Sequence, residues 1–308
     1  MARRKRGQPV HGWVVLDKPS GVSSAQAVAI VRRVFDAAKA GHAGTLDPLA
    51  TGVLPIALGE ATKTVPYVMD ATKDYDFTIQ WGEARSTDDG EGAVTATSDV
   101  RPGAEAIRAA TPAFVGVIEQ VPPAYSAVKV DGERAYDLAR SGEEVELEAR
   151  RIEILAFDLA EVVDADRARF RVSSGKGAYM RALARDLAGS LGTVGHIVAL
   201  RRLRVGPFAE SAAISLDSLA ALMHNPAALE HLRPVETALD GIPALALSGP
   251  EAKTLRNGQG VPVFRAMDRD RFGHLREGDL VYAREGDTPV AIARIEGGAI
   301  RPVRVLNL

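Results

Sequence analysis

The segment from Asp74 to Trp81 alternates between polar and apolar side chains, and this pattern constrains the fold more than any other. Tyr75, Phe77, Ile79 and Trp81 are separated by single polar residues. Because successive side chains of a β-strand point to opposite faces, the alternation predicts a strand with one buried and one solvated face. The chain therefore contains a sheet that packs against a core.

The other segments mix strand and helix patterns without a regular order. Gly12 to Leu16 predicts a short buried strand, and Ser23 or Ser24 can cap a helix that runs to about Ala38. Because strands and helices do not alternate as βαβ units, the pattern favours the α+β class over a doubly wound sheet. The further predicted elements are a helix near 104–114, a strand over 126–130, a turn at Asp131-Gly132, a helix over 133–140, paired strands over 145–163 and 167–173, and a helix over 178–191.

A change of pattern near residues 225–245 predicts a domain boundary. Asn225-Pro226, Pro234 and Gly241-Ile242-Pro243 punctuate this stretch. Short strands separated by turns follow it, as in a small β-barrel-like module. We expect three parts: a basic N-terminal tail over 1–9, a catalytic domain over 10–240 and the small module over 241–308. The strands predicted in the module span 244–247, 280–283, 290–295 and 301–305.

Composition excludes several classes of protein. The chain has 308 residues and no cysteine, which rules out disulfides, zinc ribbons, iron–sulfur clusters and a cysteine nucleophile. No apolar run is long enough for a transmembrane helix. The basic N-terminus precedes an apolar run, Trp13 to Leu16, that is too short for a signal peptide. We therefore expect a cytoplasmic protein without membrane contact.

The charges are segregated although the formal net charge is only −2. Residues 171–205 carry seven basic and one acidic side chain, whereas residues 83–99 carry five acidic side chains and Arg85. Such segregation can build a basic face for a polyanion. It is equally consistent with a solvated surface on which charges cluster by chance.

The loop over 41–52 is the densest candidate for chemistry. It places Asp47 among small residues, immediately before Pro48. Small residues let a ligand approach the backbone closely, and Pro48 biases Asp47 toward extended geometry. An extended carboxylate on such a loop suits a nucleophile or a general base. On spacing alone a plain turn explains Asp-Pro at least as well.

Beyond this loop, the order of motifs along the chain resembles the TruB family of bacterial tRNA pseudouridine-55 synthases. The resemblance covers most of residues 10–210. The matching segments are GWVVLDKPSGVSS from Gly12, HAGTLDPLATGVLPIALGEATK from His42, KDYDF from Lys73, QVPPAYSAVKVDG from Gln120, RAY from Arg134, GAYMR from Gly177 and LRR from Leu200. The loop after Gly82 and residues Ala178 and Met180 depart from the usual family pattern, which puts loop contacts in question more than the chemistry.

This resemblance implies a fold and a reaction. The implied fold is a mixed, largely antiparallel sheet of pseudouridine synthase type, with a C-terminal PUA-type RNA-binding module. The implied reaction isomerises the uridine at position 55 in the T-arm loop of tRNA, by breaking the C1′–N1 bond and rejoining the base through C5. Substrate and product are isomers, so we expect no cofactor and no metal. The expected partner is tRNA, and the expected oligomeric state is a monomer.

The family motif implies three catalytic residues. Asp47 matches the catalytic aspartate, which can add to the base, add to the sugar or remove a proton. Arg181 matches the arginine that pairs with it and keeps the carboxylate ionised; a surface arginine that contacts phosphate is the alternative. Tyr75 matches the active-site tyrosine that stacks on the extruded base, although its strand position also suits a core residue.

Six further residues are expected to bind the RNA or shape the site. His42 resembles the residue that fills the gap left by the flipped nucleotide. Lys18, Tyr179, Lys176, Arg201 and Arg202 are expected RNA contacts or site-shaping groups, and for the two arginines a solvated strand end is a comparable alternative. Lys63 is expected to support the loop.

Overall fold

The computed structural model describes residues 7–126, 128–130, 133–135, 138, 145, 147–263, 269–272 and 275–308. The basic residues Arg3–Arg6, the predicted turn at Asp131-Gly132 and half of the predicted helix over 133–140 lie outside these described residues. The start of that prediction is wrong, because Glu133 and Arg134 form a short strand instead of a helical turn. Among the described helices, none is long and apolar enough to cross a membrane.

Twenty strands and seven α-helices are described. The strands are β1 Gly12–Lys18, β2 Ala40–His42, β3 Thr51–Leu58, β4 Lys73–Trp81, β5 Glu83–Arg85, β6 Val94–Thr97, β7 Gly116–Gln120, β8 Lys129–Val130, β9 Glu133–Arg134, β10 Arg150–Val162, β11 Arg167–Ser174, β12 Gly195–Val205, β13 Phe208–Ala209, β14 Ile214–Ser215, β15 Leu232–Arg233, β16 Ala244–Ala246, β17 Val261–Pro262, β18 Leu280–Glu285, β19 Thr288–Glu296 and β20 Ala299–Val305. The helices are α1 Ser24–Val34, α2 Val65–Asp70, α3 Ala104–Ala110, α4 Met180–Ser190, α5 Leu216–Ala221, α6 Gly249–Arg256 and α7 Arg269–Phe272. Short 3₁₀ helices span Gly59–Lys63, Thr111–Phe114, Glu210–Ala212, Pro226–His231 and Val235–Leu239.

An eleven-stranded sheet dominates the structure, in the order β14-β1-β3-β12-β4-β11-β10-β7 with β2, β13 and β15 attached beside this path. β3 pairs with β12 and β1 with β14 in parallel, and the other neighbours in the order are antiparallel. The predicted mixed, largely antiparallel sheet is confirmed. The parallel contact of β3 with β12 brings distant segments together at Gly52 and Arg202.

The alternating segment forms β4, whose residues are alternately buried and half-buried along its whole length. Tyr75, Phe77, Ile79 and Trp81 lie in the main core, as the alternation predicts. Phe77 and Trp81 contact the ring of Phe170 on β11. These aromatic contacts fix the strand that carries Tyr75.

The helix α1 begins where the sequence predicts and ends earlier. Ser23 caps its first turn in a capping box with Gln26. The helix ends at Val34 instead of continuing to Ala38, because Asp36 adopts a left-handed backbone conformation with φ +44°. Residues 37–39 then lead into β2 and toward the loop that carries Asp47.

Strands β1 and β3 are buried on both faces and separate two apolar clusters. Val14, Leu16 and Leu54 face the main core with α1 and α4. Trp13 and Val53 face a second cluster on the other side of the sheet. We call this second group the rear cluster: Trp13, Val15, Ala43, Val53, Ala57, Ala61, Val68, Val205, Phe208, Val235, Ala238 and Leu306.

The C-terminal part forms a five-stranded sheet in the order β16-β18-β19-β20-β17, with an apolar core of its own. The four strands predicted there are present, with bounds that differ by up to two residues at either end. Helix α6 is an addition that strand patterns alone did not predict. Ser248 and Glu251 form its capping box, and Ala252 and Leu255 bury its inner face.

Candidate active site

The loop between β2 and β3 carries Asp47 and is fastened at several points. The hydroxyl of Ser24, at the start of α1, donates to the Leu46 carbonyl and accepts from the Leu46 amide, both at 2.9 Å. Lys18 Nζ donates to the carbonyls of Pro19, Val22 and Pro48 at 2.8, 2.7 and 3.2 Å. The backbone on both sides of Asp47 is therefore fixed by side chains from β1 and α1.

Asp47 forms an ion pair with Arg181, which lies 134 residues away on α4. Arg181 Nε donates to Asp47 Oδ2 at 2.9 Å. The arginine side chain is only 4% exposed, whereas the aspartate side chain remains 34% exposed. The guanidinium is thus fixed inside the protein, while the carboxylate has a face open to solvent.

Three further groups fix the guanidinium of Arg181. Its Nη1 and Nη2 donate to the carbonyls of Thr87 and Tyr125, each at 2.7 Å. The buried carboxylate of Asp89 lies 3.7 Å from Nε. Thr87 and Asp89 belong to the acidic loop after β5. The sequence marked that loop only by its charge, and its contact with Arg181 was not predicted.

The side chain of Tyr75 points toward the same region and is 8% exposed. The guanidinium of Arg202 lies beside its hydroxyl. Burial raises the pKa of Tyr75, so the phenol is protonated at neutral pH. Tyr75 is therefore both a core residue and a wall of the site, and the two interpretations of its strand position are compatible.

Arg202 fastens the loop from the β12 side. It donates to the carbonyls of Val53, Thr45 and Gly44 at 2.8, 3.4 and 3.0 Å. Gly44 is needed at this contact, because its φ is +88° and an added Cβ would lie 3.3 Å from Arg202 Nη1. The guanidinium thus replaces solvent as the donor for the loop backbone.

His42 and Tyr179 flank the loop. His42 ends β2, and burial together with the charge of Arg202 lowers the pKa of its imidazole, which is neutral at pH 7. Tyr179 is half-buried at the start of α4, and its backbone exchanges two hydrogen bonds with the side-chain amide of Gln120. Burial raises the pKa of its phenol.

Lys73 at the start of β4 is a buried cation that the sequence did not single out. Its Nζ donates to the carbonyls of Met69 and Ala71 at 2.8 and 2.7 Å, at the end of α2. Burial lowers its pKa to about 8, with Arg202 as a second cause. Within the described ranges, no group of three or more His, Asp or Glu side chains lies close enough together to hold a metal ion.

Comparison with known proteins identifies the family. The sequence profile described as TruB family pseudouridylate synthase (N terminal domain) matches residues 32–180, and that of the tRNA pseudouridylate synthase B C-terminal domain matches 181–240. The chain is 56% identical to the tRNA pseudouridine synthase B of Rhodospirillum rubrum over 308 residues, which is the full length of both proteins. The chain belongs to the TruB family of pseudouridine synthases. It is therefore an isomerase that converts uridine to pseudouridine in RNA.

Other relatives and solved structures agree with this TruB assignment. The tRNA pseudouridine synthase B of Caulobacter vibrioides is 52% identical over 309 residues, covering all of both proteins. The fold matches a chain in a Cbf5–Nop10–Gar1 complex with a TM-score of 0.74 and 26% identity, over 96% of this chain and 85% of that one. It also matches a chain in an H/ACA RNP bound to a substrate RNA containing 2′-deoxyuridine, with a TM-score of 0.74 and 23% identity over 100% and 92% of the two chains. At that identity the second match shows the fold alone.

The structure of this TruB chain divides the residues that were predicted to bind RNA or shape the site into buried and accessible ones. Lys18 is fully buried and Arg202 is 2% exposed, and both donate to backbone carbonyls. Neither side chain reaches the surface, so of the two predicted roles the structure favours shaping the loop over contacting RNA. Each donates to three backbone carbonyls, one of them in the loop for Lys18 and two for Arg202, which a sequence motif cannot reveal.

Arg201 and Arg202 do not act as a pair, because successive residues of β12 face opposite sides of the sheet. Arg201 lies on the outer face and makes two hydrogen bonds of 3.0 Å to Asp17, with Glu210 at 3.2 Å. By contrast, Lys176 is 69% exposed in an ion pair with Asp70 at 3.0 Å. Of the six residues predicted to bind RNA or shape the site, Lys176 is the most accessible cation.

The basic segment 171–205 does not form a single basic face. Six of its seven cations are within 3.7 Å of a carboxylate, and the seventh, Arg202, is buried. The cations are divided between the two faces of the sheet. Of the two interpretations of this charge cluster, the structure favours locally compensated charges.

Proposed function

We propose that this chain isomerises the uridine at position 55 in the T-arm loop of tRNA, with Asp47 as the reacting side chain. The observation that carries the proposal is the pairing of Asp47 with a buried Arg181, at 2.9 Å, on a loop that leaves one face of the carboxylate open. The curated relatives, named tRNA pseudouridine synthase B over their full length, support tRNA as the substrate.

The reaction requires one activated group. The C1′–N1 bond breaks, the uracil rotates, a C1′–C5 bond forms, and the proton lost from C5 is balanced by one gained at N1. An ionised carboxylate can act as the nucleophile or take a proton from the sugar, and Arg181 keeps it oriented toward the cleft. Atoms balance without an oxidant, a reductant or a group donor.

The neighbouring aromatic side chains suit a flipped nucleotide. Tyr75 forms a wall that can stack on an extruded base, at a cost of a few kcal/mol for unstacking that base. Because burial raises its pKa, the phenol is a hydrogen-bond donor or acceptor and not a phenolate. His42 immediately precedes the loop, and Tyr179 is close enough to Asp47 and Arg181 to interact with their charges, so both can contact the flanking nucleotides.

The remaining parts of the proposal concern organisation. We propose that residues 10–240 form the catalytic domain, that residues 241–308 form a PUA-type RNA-binding module, and that the basic tail over 1–9 adds phosphate contacts. The separate core of the C-terminal sheet supports the boundary. A cytoplasmic monomer is the expected state, because nothing in the reaction requires a second copy or a membrane.

A direct assay tests this proposal. Unmodified tRNA is incubated with the protein without any added cofactor, and pseudouridine is mapped by a mass-based or chemical readout. We expect conversion at position 55, in the tRNA and in an isolated T-arm stem-loop, and none in a tRNA that carries cytidine at that position. Faster turnover of ribosomal RNA fragments than of T-arm RNA would contradict the substrate assignment.

A further inference from the structure

The segment after β20 contacts the catalytic part of the chain. The Leu306 amide donates to the Val290 carbonyl at 2.8 Å, which ties it to β19. One residue further, the Asn307 amide donates to Glu60 Oε2 at 2.8 Å. Lys63 Nζ bridges Glu60 Oε2 and the Val305 carbonyl at 2.6 and 2.8 Å. Glu60 and Lys63 both belong to the 3₁₀ helix that follows β3.

Between these polar contacts, the side chain of Leu306 is inserted into the rear cluster. It is 1% exposed, although the neighbouring Leu308 is 47% exposed. Leu306 is the only member of the rear cluster, as far as the described residues show, that comes from the C-terminal sheet and its flanking segments. Burial of a leucine side chain in a close-packed cluster constrains the residues that surround it.

Two members of the rear cluster connect it to the site. Ala43 is the residue between His42 and Gly44, at the base of the Asp47 loop. Val53 follows Gly52 on β3, and its carbonyl accepts from Arg202, whose guanidinium also holds Gly44 and Thr45. The cluster that Leu306 joins thus includes two residues next to the supports of the loop.

We propose that Leu306 is a positioning residue for the Asp47 loop, held in place by the Lys63–Glu60 bridge. The inference rests on the proposed function, in which Asp47 carries the chemistry. In this proposal the C-terminal module also has a structural role, besides any contact with RNA. The side chain of Leu306, in its flanking segment, completes the apolar cluster behind the Asp47 loop. Loss of this side chain is then expected to change the rate of the chemical step more than the affinity for RNA.

The test compares Leu306→Ala with two matched controls. Leu255→Ala opens a cavity in the core of the C-terminal sheet, outside the rear cluster, and Leu308→Ala removes an exposed leucine. Leu306→Met keeps the volume and is expected to rescue. Lys63→Met removes the bridge to Glu60 and Val305. It replaces Leu306→Ala in the test if Leu306→Ala does not fold. Thermal unfolding of every variant identifies the proteins that are folded at the assay temperature.

Two readouts separate positioning from general stability. Hydrogen exchange of the amides over 43–50, without RNA, is expected to accelerate in Leu306→Ala and to remain at the wild-type rate in Leu255→Ala. The single-turnover rate on T-arm RNA, at saturating protein, is expected to fall about tenfold or more in Leu306→Ala, with RNA affinity within about twofold of wild type. Unchanged exchange and rate in a folded Leu306→Ala protein would overturn the proposal, and so would equal effects in Leu255→Ala.

The outcome can be separated from failure of the proposed function. If Asp47→Asn retained full activity while Leu306→Ala still accelerated exchange over 43–50, the packing link would stand and the catalytic assignment would fall. If wild-type protein were active and Asp47→Asn inactive, but the loop did not respond to Leu306→Ala, only the positioning role would be wrong.

Discussion

Three buried cations lie at the base of the Asp47 loop, and each donates hydrogen bonds to backbone carbonyls instead of pairing with a carboxylate. Lys18 and Arg202 hold the loop itself, and Lys73 holds the end of α2. Burying a charged group destabilises the folded state unless the group is hydrogen-bonded or paired. These residues are thus placed to fix the backbone around Asp47, while the open face of Asp47 stays available to substrate.

Replacing Lys18 by methionine tests whether this lysine fixes the backbone around Asp47. Lys18→Met keeps the length of the side chain but leaves the carbonyls of Pro19, Val22 and Pro48 without their donor, so we expect kcat to fall about tenfold or more. RNA affinity is expected to change little, because Nζ does not reach the surface. Lys176→Met is the comparison, with weaker RNA binding and nearly unchanged kcat. Weaker RNA binding with normal kcat in Lys18→Met would restore Lys18 as an RNA contact.

The two buried lysines also predict an unusual pH dependence. Burial lowers the pKa of Lys18 and of Lys73 to about 8 from 10.5. Between these values the unfolded chain binds more protons than the folded one, so the contribution of both groups to the free energy of unfolding rises with pH. Urea unfolding between pH 8 and 10.5 measures whether the free energy of unfolding rises as predicted. The rise is expected to be smaller in Lys18→Met than in wild type. Over the same range kcat is expected to fall, because Lys18, which holds the loop at Pro48, loses its charge. A kcat that does not change with pH would count against this role of Lys18.

The sequence could single out Asp47, Arg181 and Tyr75 as candidates because they stand in motifs of fixed order. It could not show that Lys18 and Arg202 are buried, since a lysine after a strand and an arginine in a strand are exposed in most sequences with this pattern. The contact of Asp89 with Arg181 was also beyond the sequence, because it depends on how the loop after β5 folds over α4. The motifs therefore indicated which charged residues belong to the site, but not which of them are buried.

At the scale of elements, the contact of β3 with β12 determines the site. Gly52 pairs in parallel with Arg202, and its φ is +97°. A Cβ there would lie 2.2 Å from the Arg202 carbonyl oxygen, so a larger residue would push the two strands apart. A register shift between Arg202 and Arg204 lets Arg202 face the site while Arg204 opposes Asp74 on the other face.

Gly52→Ala is therefore expected to disturb the site through the sheet. We expect a loss of about 1–3 kcal/mol in the free energy of unfolding, together with a lower kcat from displacement of Arg202. Gly41→Ala on the neighbouring β2 is the matched control, since its Cβ meets nothing within 4 Å and its φ is not positive. Denaturant unfolding and single-turnover kinetics measure both effects. Equal behaviour of the two variants would show that the close approach at Gly52 is unimportant.

The elements themselves were largely predictable. Strict alternation gave β4, and capping residues gave the start of α1, because these signals are local. The end of α1 depends on a left-handed Asp36, and the inward turn of Arg202 depends on the irregularity of β12. Both features depend on contacts between strands and loops that are distant in sequence. Hydrophobic periodicity reports only local pattern and does not predict such contacts.

At the scale of the whole molecule, the charges are balanced locally and not gathered into one face. Arg171, Arg201 and Arg204 face away from Tyr75 and pair with carboxylates on the outer side of the sheet. Lys176 lies on the segment that leads into α4 and toward the site. The accessible cations near Asp47 are therefore fewer than the sequence count for 171–205 implies.

RNA affinity is expected to fall with salt, because phosphate contacts release counterions. Lys176→Ala should weaken binding and lower the slope of log affinity against log salt by about one. Arg171→Ala, on the opposite face, should leave the slope unchanged. Titrations of T-arm RNA at several salt concentrations measure both slopes. A lower slope in Arg171→Ala would place RNA on the outer face of the sheet.

The central claim is that Asp47, held by Arg181, carries out the reaction, and Asp47→Asn tests it most directly. Asp164→Asn is the control, because Asp164 forms a comparable ion pair with Arg167 on an exposed turn. Single-turnover pseudouridine formation on T-arm RNA, at saturating protein, is the measurement. We predict that Asp47→Asn binds RNA and remains folded but loses roughly a thousandfold or more in rate, whereas Asp164→Asn matches wild type. A wild-type rate in Asp47→Asn would contradict the account.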